Sequence, residues 1–334
     1  MTYEQHRELI FQQVQDFSGE GFGDLAMEVF RFQARHNALY ARYLSLLGLE
    51  VSSVQAPGDI PFLPIQFFKN YTVKTGQWQE AAFFSSSGTT GASTSRHPVR
   101  DLDFYKNNTV KGFQQFYGPS AAYCVLALLP SYLERSGSSL VCMAEHFISL
   151  STYPQSGFFL KNTGELVKVL GELQAAGIPL LLLGVSFALL DLAGQFDLDL
   201  KNTIVMETGG MKGRRRELTR DELHAELKNA FKVKAIHSEY GMTELFSQAY
   251  SKGNGQFYPA HTMQVFAREV SDPLAAQAIG KTGVLNIIDL ANFDTCSFIA
   301  TEDLGRVWDD GSFEVLGRLD NSDIRGCNLM VGTS

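Results

Sequence analysis

The sequence is poor in cysteine and in positive charge, and it holds no long uninterrupted apolar run. Each shortage closes a class of function. Four cysteines among 334 residues, with no C-x-x-C pair, supply neither a zinc knuckle nor a disulfide framework. Cys124, Cys142 and Cys296 stand in apolar surroundings and are expected to pack as small hydrophobes. A formal net charge of -8 leaves no surplus of lysine and arginine to neutralise phosphates, which argues against a general nucleic-acid binder. The one basic run, Lys212 to Arg216, fits either a local anion site or a solvated helix start. No H-E-x-x-H and no His/Asp/Ser constellation occurs, so His146 and His261 carry no catalytic assignment. The longest apolar stretch, "IPLLLLGVSFALLDLAG", is interrupted by Gly184, Ser186 and Asp191 and reads as a buried strand running into a helix, not a membrane span. The N-terminus lacks the cationic start and apolar core of a signal peptide, so a cytoplasmic protein without stable membrane insertion is expected.

What is present suits a large globular core: 45% hydrophobic and 19% charged residues. Leu9, Ile10, Val14 and Phe17 are spaced like the buried side of an amphipathic helix, and Leu25, Val29, Phe32, Leu39, Tyr43 and Leu47 continue helical spacing. Three prolines between residues 57 and 64 predict an extended loop. From residue 81 onward, short apolar runs such as "AAYCVLALLP", "GIPLLLLGV", "KNTIVMETGG" and "KVKAIHSEYG" predict buried strands, with helices over 101–117, 161–176 and 214–230 between them. The last third changes to short β-type runs and a "DDG" hairpin signal. The expected fold class is α/β: residues 1–80 a helical start and loop, 81–260 an α/β core of helix-covered mixed sheets, and 261–320 a smaller β-rich subdomain. Together these make one catalytic domain, 1–320, followed by a flexible tail, 321–334.

The stretch "FFSSSGTTGAS", Phe83 to Ser93, concentrates small hydroxyl residues around two glycines. Gly88 and Gly91 permit backbone angles closed to other residues, and the hydroxyls of Ser85, Ser86, Ser87, Thr89 and Thr90 add donors, so such a loop can grip phosphate oxygens. It is not a Walker A loop, because no lysine follows the second glycine. Alone it is equally a plain flexible loop. Two further stretches follow in order, "HSEYGMTE" at 237–244 and "TEDLGRVWDDGSFEVLGRLDNSDIRG" at 301–326.

These three elements resemble the adenylate-forming superfamily of acyl-CoA synthetases, luciferases and adenylation domains. The resemblance implies ATP and Mg²⁺ as cofactors. Residues Ser85 to Gly91 would hold the ATP phosphates, Tyr240 would stand near adenine, and Thr243 would contact the phosphate region. Glu244 would help hold Mg²⁺, Asp303 would bind the ribose hydroxyls, and Arg318 would lie near ribose and phosphate. "ETGGMKG", with Gly209 and Gly210, matches a glycine-containing loop beside adenine. Within the superfamily the chain looks most similar to LuxE-type acyl-protein synthetases, a resemblance that extends over nearly the whole chain.

Superfamily members usually continue beyond the G-R-x-D hinge into a lid domain with a catalytic lysine, and the sequence stops at Ser334. The resemblance therefore implies a missing lid, with Lys212 or Arg325 as possible substitutes for its lysine. It also implies an acyl thioester on Cys327, fed from a fatty or other carboxylic acid and passed to an acyl reductase partner. Cys327 as a buried hydrophobe is the plain alternative. Two other functions stay open: an acyl- or aryl-CoA ligase of the phenylacetate-CoA ligase type, and a non-catalytic nucleotide-binding subunit that organises partner enzymes.

Overall fold

The computed structural model describes residues 1–86, 94–129, 137–159, 162–209 and 218–319. The chain begins with helices α1 (Tyr3–Gln15), α2 (Phe22–His36) and α3 (Ala38–Leu46). Thr2 and Gln5 cap α1 reciprocally, and Asn37 caps α3, each satisfying N–H groups that a helix start leaves unpaired. On α1, Ile10 and Val14 are buried, but Leu9 is exposed and Phe17 lies beyond the helix. On α2, Leu25, Val29 and Phe32 all face the core as their spacing predicts, whereas Leu47, just past α3, is exposed. The proline-containing segment is more ordered than a loop. It forms strand β1 (Leu63–Pro64) and the short helix α4 (Phe67–Asn70).

Strands β2 (Ala82–Ser85) and β3 (Arg96–Val99) then form an antiparallel pair. The next part alternates strand and helix: α5 (Leu102–Tyr117), β4 (Cys124–Leu128), α6 (Ser139–Leu150), β5 (Gly157–Phe158), α7 (Thr163–Ala175), β6 (Leu180–Val185), α8 (Ser186–Gln195), β7 (Thr203–Thr208), α9 (Arg220–Phe231) and β8 (His237–Tyr240). The long apolar run is indeed a strand entering a helix, β6 into α8. Helix α6 is not among the helices that the sequence pattern predicts; it buries Met143, Ala144 and Phe147 and exposes Glu145 and Ser149. Among the described residues no helix is long and apolar enough to cross a membrane.

Strands β9 (Ala249–Ser251) and β10 (Tyr258–Pro259) complete a sheet of order β10-β9-β8-β7-β6-β4-β5, parallel from β8 to β5 and antiparallel at β9 and β10. β4 and β6 are buried throughout, as expected of parallel strands covered by helices on both faces. The remaining strands, β11 (Met263–Arg268), β12 (Gly283–Asp289), β13 (Phe298–Val307) and β14 (Phe313–Arg318), are mutually antiparallel, and β1 adds to β13 in parallel. The "DDG" signal is the turn between β13 and β14. Two apolar clusters result, one gathering α1 to α3 with the β11–β14 strands and one under the parallel sheet. Cys124 and Cys296 are buried and Cys142 is half-buried, all as free thiols.

Candidate active site

The carboxyl ends of β6, β7 and β8 form one rim, because Val185, Thr208 and Glu239 align across the sheet. Ligands of parallel sheets collect beyond such ends. From Tyr240 the chain runs into the turn 241–244, which has no regular structure, so side chains must satisfy its buried backbone. Asp289 accepts from the N–H groups of Phe246 and Ser247, both at 2.8 Å, and from the Ser247 hydroxyl at 2.6 Å. Asn292 donates to the Glu244 carbonyl at 2.7 Å, and Asn108 to the Phe246 carbonyl at 3.0 Å. His97 donates from Nδ1 to the Thr243 carbonyl at 2.9 Å and accepts at Nε2 from the Thr295 hydroxyl at 2.8 Å. A carbonyl can only accept, so Nδ1 carries a proton. Burial pushes His97 down to about 4, against the opposing bond to Thr243.

Three of the motif residues meet. The Tyr240 hydroxyl donates to Asp303 Oδ2 at 2.7 Å, and Arg318 Nε lies 3.4 Å from Asp303 Oδ1. Asp303 and Arg318 are direct partners across β13 and β14, and a register shift between Leu304 and Gly305 follows at once. Such bulges re-aim side chains at the edges of sites. Gly305 is required there, since a methyl group would overlap the Glu314 carbonyl. Asp303 is buried while Arg318 is largely exposed. The Tyr240 ring packs edge-on against Phe313, 5.4 Å between centroids, and burial raises its phenol well above the ordinary value, so it remains a donor.

Glu244 is buried, and burial raises its carboxyl above the usual range against the influence of Ser95, Arg318 and Lys69. Ser95 Oγ is itself buried without a partner in hydrogen-bond geometry. A buried carboxylate beside an unpartnered hydroxyl suits a hard cation that retains waters and takes one protein carboxylate. Among the described residues no group of three His, Cys, Asp or Glu could hold a metal ion.

Ser85 and Ser86 mark the first stem of the hydroxyl-rich loop. Ser85 N–H donates to the Gly137 carbonyl at 2.8 Å, and Ser86 Oγ accepts from Ser95 N–H at 2.9 Å, tying the two stems together. Gly209, with φ of 68°, is held by the Ser186 hydroxyl, which donates to its carbonyl at 2.8 Å. Ser87, Gly88, Thr89, Thr90, Gly91, Gly210, Lys212, Arg325 and Cys327 lie outside the described residues. His146 is half-exposed on α6, and His261 lines a cavity of about 370 Å³ between α1 and α5 together with Phe11, Phe104 and Lys111.

A second group of buried ionisable residues contains Glu207 and Glu239, which lie inside the quoted motifs but are given no role there. Glu207, in β7, accepts from the Ser186 hydroxyl at 3.0 Å and lies 3.5 Å from His224 Nε2 and 3.7 Å from Arg220 Nε. Burial works against its charge, but His224 and Arg220 hold its carboxyl below the usual range. Arg220 also donates to the Val315 carbonyl at 3.1 Å and covers the Phe257 ring, so it bridges β7 to β14. Glu239, immediately before Tyr240, has no such cation among the described residues. Its carboxyl accepts from the Thr208 hydroxyl, and burial followed by the repulsion of Glu207 pushes it up to about 7, with Thr208 opposing.

No protein-family model and no curated protein matches the sequence. Solved structures do match. ATP-bound MatB from Rhodopseudomonas palustris superposes with a TM-score of 0.54 at 16% identity, over 72% of this chain and 48% of that one. 2-Hydroxyisobutyryl-CoA ligase in an open conformation with 2-HIB-AMP and CoA gives a TM-score of 0.63 at 12% identity, over 88% of this chain and 73% of that one. The same ligase in its postadenylation state gives 0.64 at 11% identity, over 96% and 69%. The chain has the fold of adenylate-forming ligases. It spans about half the length of the MatB structure it matches. The α/β class, the helix-covered mixed sheets and the β-rich end therefore stand as the sequence implies, while identities this low establish fold and leave chemistry to the site.

Proposed function

We propose that the chain activates a carboxylic acid with ATP. The observation that carries this reading is the Tyr240–Asp303–Arg318 cluster at the end of β8, in a fold shared with ATP-bound and acyl-AMP-bound ligases. Asp303 would accept from the ribose hydroxyls, Tyr240 would border adenine, and Arg318, being exposed, would reach the ribose and phosphate. Ser85 to Gly91 and Thr243 would donate to phosphate oxygens, and Gly209 with Gly210 would flank adenine. Mg²⁺ at Glu244 would supply positive charge for the phosphates. In the step itself a carboxylate oxygen of the acid bonds to the α-phosphorus, the bond from that phosphorus to the bridging oxygen breaks, and pyrophosphate leaves. Fixed donors stabilise the charge that develops.

The finer reading follows the sequence resemblance: a fatty acid as substrate, and transfer from acyl-AMP to a protein thiol. The Cys327 thiolate would attack the acyl carbon, the bond to the AMP oxygen would break, and AMP would leave, with an acyl reductase as the next acceptor. Lys212 is a candidate to supply positive charge to the phosphates. The test is acid-dependent exchange of labelled pyrophosphate into ATP. Exchange is expected from the wild type, and its absence with every acid tried overturns acid activation in favour of a nucleotide-binding subunit. Cys327→Ser should then retain exchange and lose acyl transfer to protein. Transfer that persists and requires coenzyme A would favour the CoA ligase instead.

A further inference from the structure

Successive side chains of a strand face opposite sides of its sheet. On β8, Ser238 and Tyr240 face α9 and the β13–β14 hairpin, through His224 and Asp303. His237 and Glu239 face the other side, toward α5, where Tyr117 meets His237 at 3.1 Å. The nucleotide residues therefore occupy one side of the strand end, and Glu239 the other.

The Glu239 side holds buried polar oxygens that lack partners among the described residues. Glu239 is 8% exposed, and its carboxyl is bonded to the Thr208 hydroxyl. One of its oxygens lies so close to Gly241 that a methyl group on that residue would overlap it, and Gly241 itself is exposed, so the carboxyl sits just inside an opening. Two more buried oxygens on this face, Oε1 of Gln248 and the hydroxyl of Tyr250, have no partner among the described residues. Tyr250 is directly opposite Glu239 across β8 and β9. Gln248 Cγ comes to 3.5 Å from where a Gly241 methyl would stand. The neighbouring wall is aromatic: Tyr105 packs on Phe84 and Phe246, with centroids 4.6 and 5.2 Å apart. Native interiors leave few polar atoms unpaired, and those that remain call for a ligand or a water.

We propose that Glu239, with Gln248 and Tyr250, selects the acid: its organic part carries a hydrogen-bond donor, a hydroxyl or an amine, instead of being a plain alkyl chain. The inference rests on the acid-activation reading and narrows its substrate class. The nucleotide on the Tyr240 side leaves the acid to approach from the opposite side of the same strand end. A donor there would pair with oxygens that an alkyl chain would leave dry. Sites built to bond a polar group reject the analogue that lacks it far more strongly than apolar pockets reject an extra group. The groups that act on Glu239 are Glu207 from β7, Tyr105 from α5 and Tyr250 from β9. The one ordinarily charged at neutral pH, Glu207, is acidic, which favours an ammonium as well as a hydroxyl.

The test uses the full chain and acids of matched length that are unsubstituted, hydroxylated or aminated along the chain. Pyrophosphate exchange and direct calorimetric binding are both measured, for wild type, Glu239→Gln and Glu239→Leu. Exchange per unit of acid, as kcat/KM, is expected to be at least about tenfold higher for a donor-bearing acid than for its unsubstituted counterpart. Glu239→Leu should remove or reverse that ratio. With the isosteric Glu239→Gln, a hydroxy acid should hold within a few-fold, whereas an amino acid should lose most of its advantage. If unsubstituted acids are preferred by wild type, or the ratio survives in Glu239→Leu, the proposal is overturned. Should no acid support exchange, calorimetry separates the two readings: binding of a donor-bearing acid that Glu239→Leu weakens supports the selective pocket while acid activation fails, and no such binding overturns both.

Discussion

The two sides of β8 bury polar groups by different means. Facing the β13–β14 hairpin, Tyr240 donates to Asp303 and Arg318 adds a cation, while Glu207 is paired with His224 and Arg220. Facing α5, among the described residues Glu239 has a single hydroxyl partner and the nearby Gln248 Oε1 and Tyr250 hydroxyl have none. A buried charge that is paired can remain a charge, but one without a cation is driven toward its neutral form. On the proposed reading, the first side would offer fixed charges to a nucleotide, and the second a set of buried oxygens that a substrate would complete.

The largest expected effect comes from the paired side. Asp303→Ala removes the acceptor of Tyr240, the partner of Arg318 and the proposed ribose contact together. Hydrogen bonds to charged groups contribute about 1.5–3 kcal/mol each. Exchange should therefore fall roughly a hundredfold for every acid, with the ranking of acids unchanged. A change in that ranking, measured across the same acid series, would break the division between the two sides.

The next effect reads the unpaired side through pH. The Glu239 carboxyl is raised from its ordinary 4.5 to about 7. The folded state thus favours the protonated form, so its stabilisation is complete below about 4.5 and is lost as pH rises through about 7. His237, two residues away on the same side, is lowered to about 4, first by burial and then by Lys252 and His224. His97 is lowered to the same value by burial. Both histidines contribute stability that is present above about 6.5 and lost as pH falls through about 4, the opposite slope. In denaturant unfolding, Glu239→Gln should gain about 2 kcal/mol relative to wild type between pH 5 and 7.5. No change in the difference across that range would mean that Glu239 is not the unpaired carboxyl it is taken for.

The contrast also explains what could be read before the fold was known. Tyr240, Thr243, Glu244, Asp303 and Arg318 stand in short stretches that the resemblance to adenylate-forming enzymes singles out, and β8 occupies only the His237–Tyr240 end of the predicted "KVKAIHSEYG" strand. The strand-helix alternation over 101–231 is plain except at α6, because buried strands and amphipathic helices carry different periods. His97, Lys69 and Ser95 could not be found in this way. His97 is 146 residues from the Thr243 carbonyl that it holds, and nothing local to "SRHP" marks it. Glu239 is hidden for another reason: beside a recognisable tyrosine an acidic residue reads as an ordinary strand position, and only the register with Thr208 and Tyr250 shows its isolation. The pairing of β1 with β13 likewise depends on contacts distant in sequence.

The smallest effect tests whether the paired side is one unit. Arg220 touches three elements: Glu207 in β7, the Val315 carbonyl in β14 and the Phe257 ring. It is partly solvated, and Glu207 keeps His224 and Ser186 when the guanidinium is gone. Arg220→Met keeps much of the stem that covers Phe257 and removes only the charge and the donors, so the loss of stability should be about 1 kcal/mol or less. Asp303 and Arg318 are carried by the hairpin that Arg220 tethers, and a looser β14 should weaken ATP binding a few-fold in calorimetry without altering acid preference. If ATP binding is unchanged while stability falls, the tether serves folding alone, and the Tyr240–Asp303–Arg318 cluster is positioned by the β13–β14 pairing and its bulge.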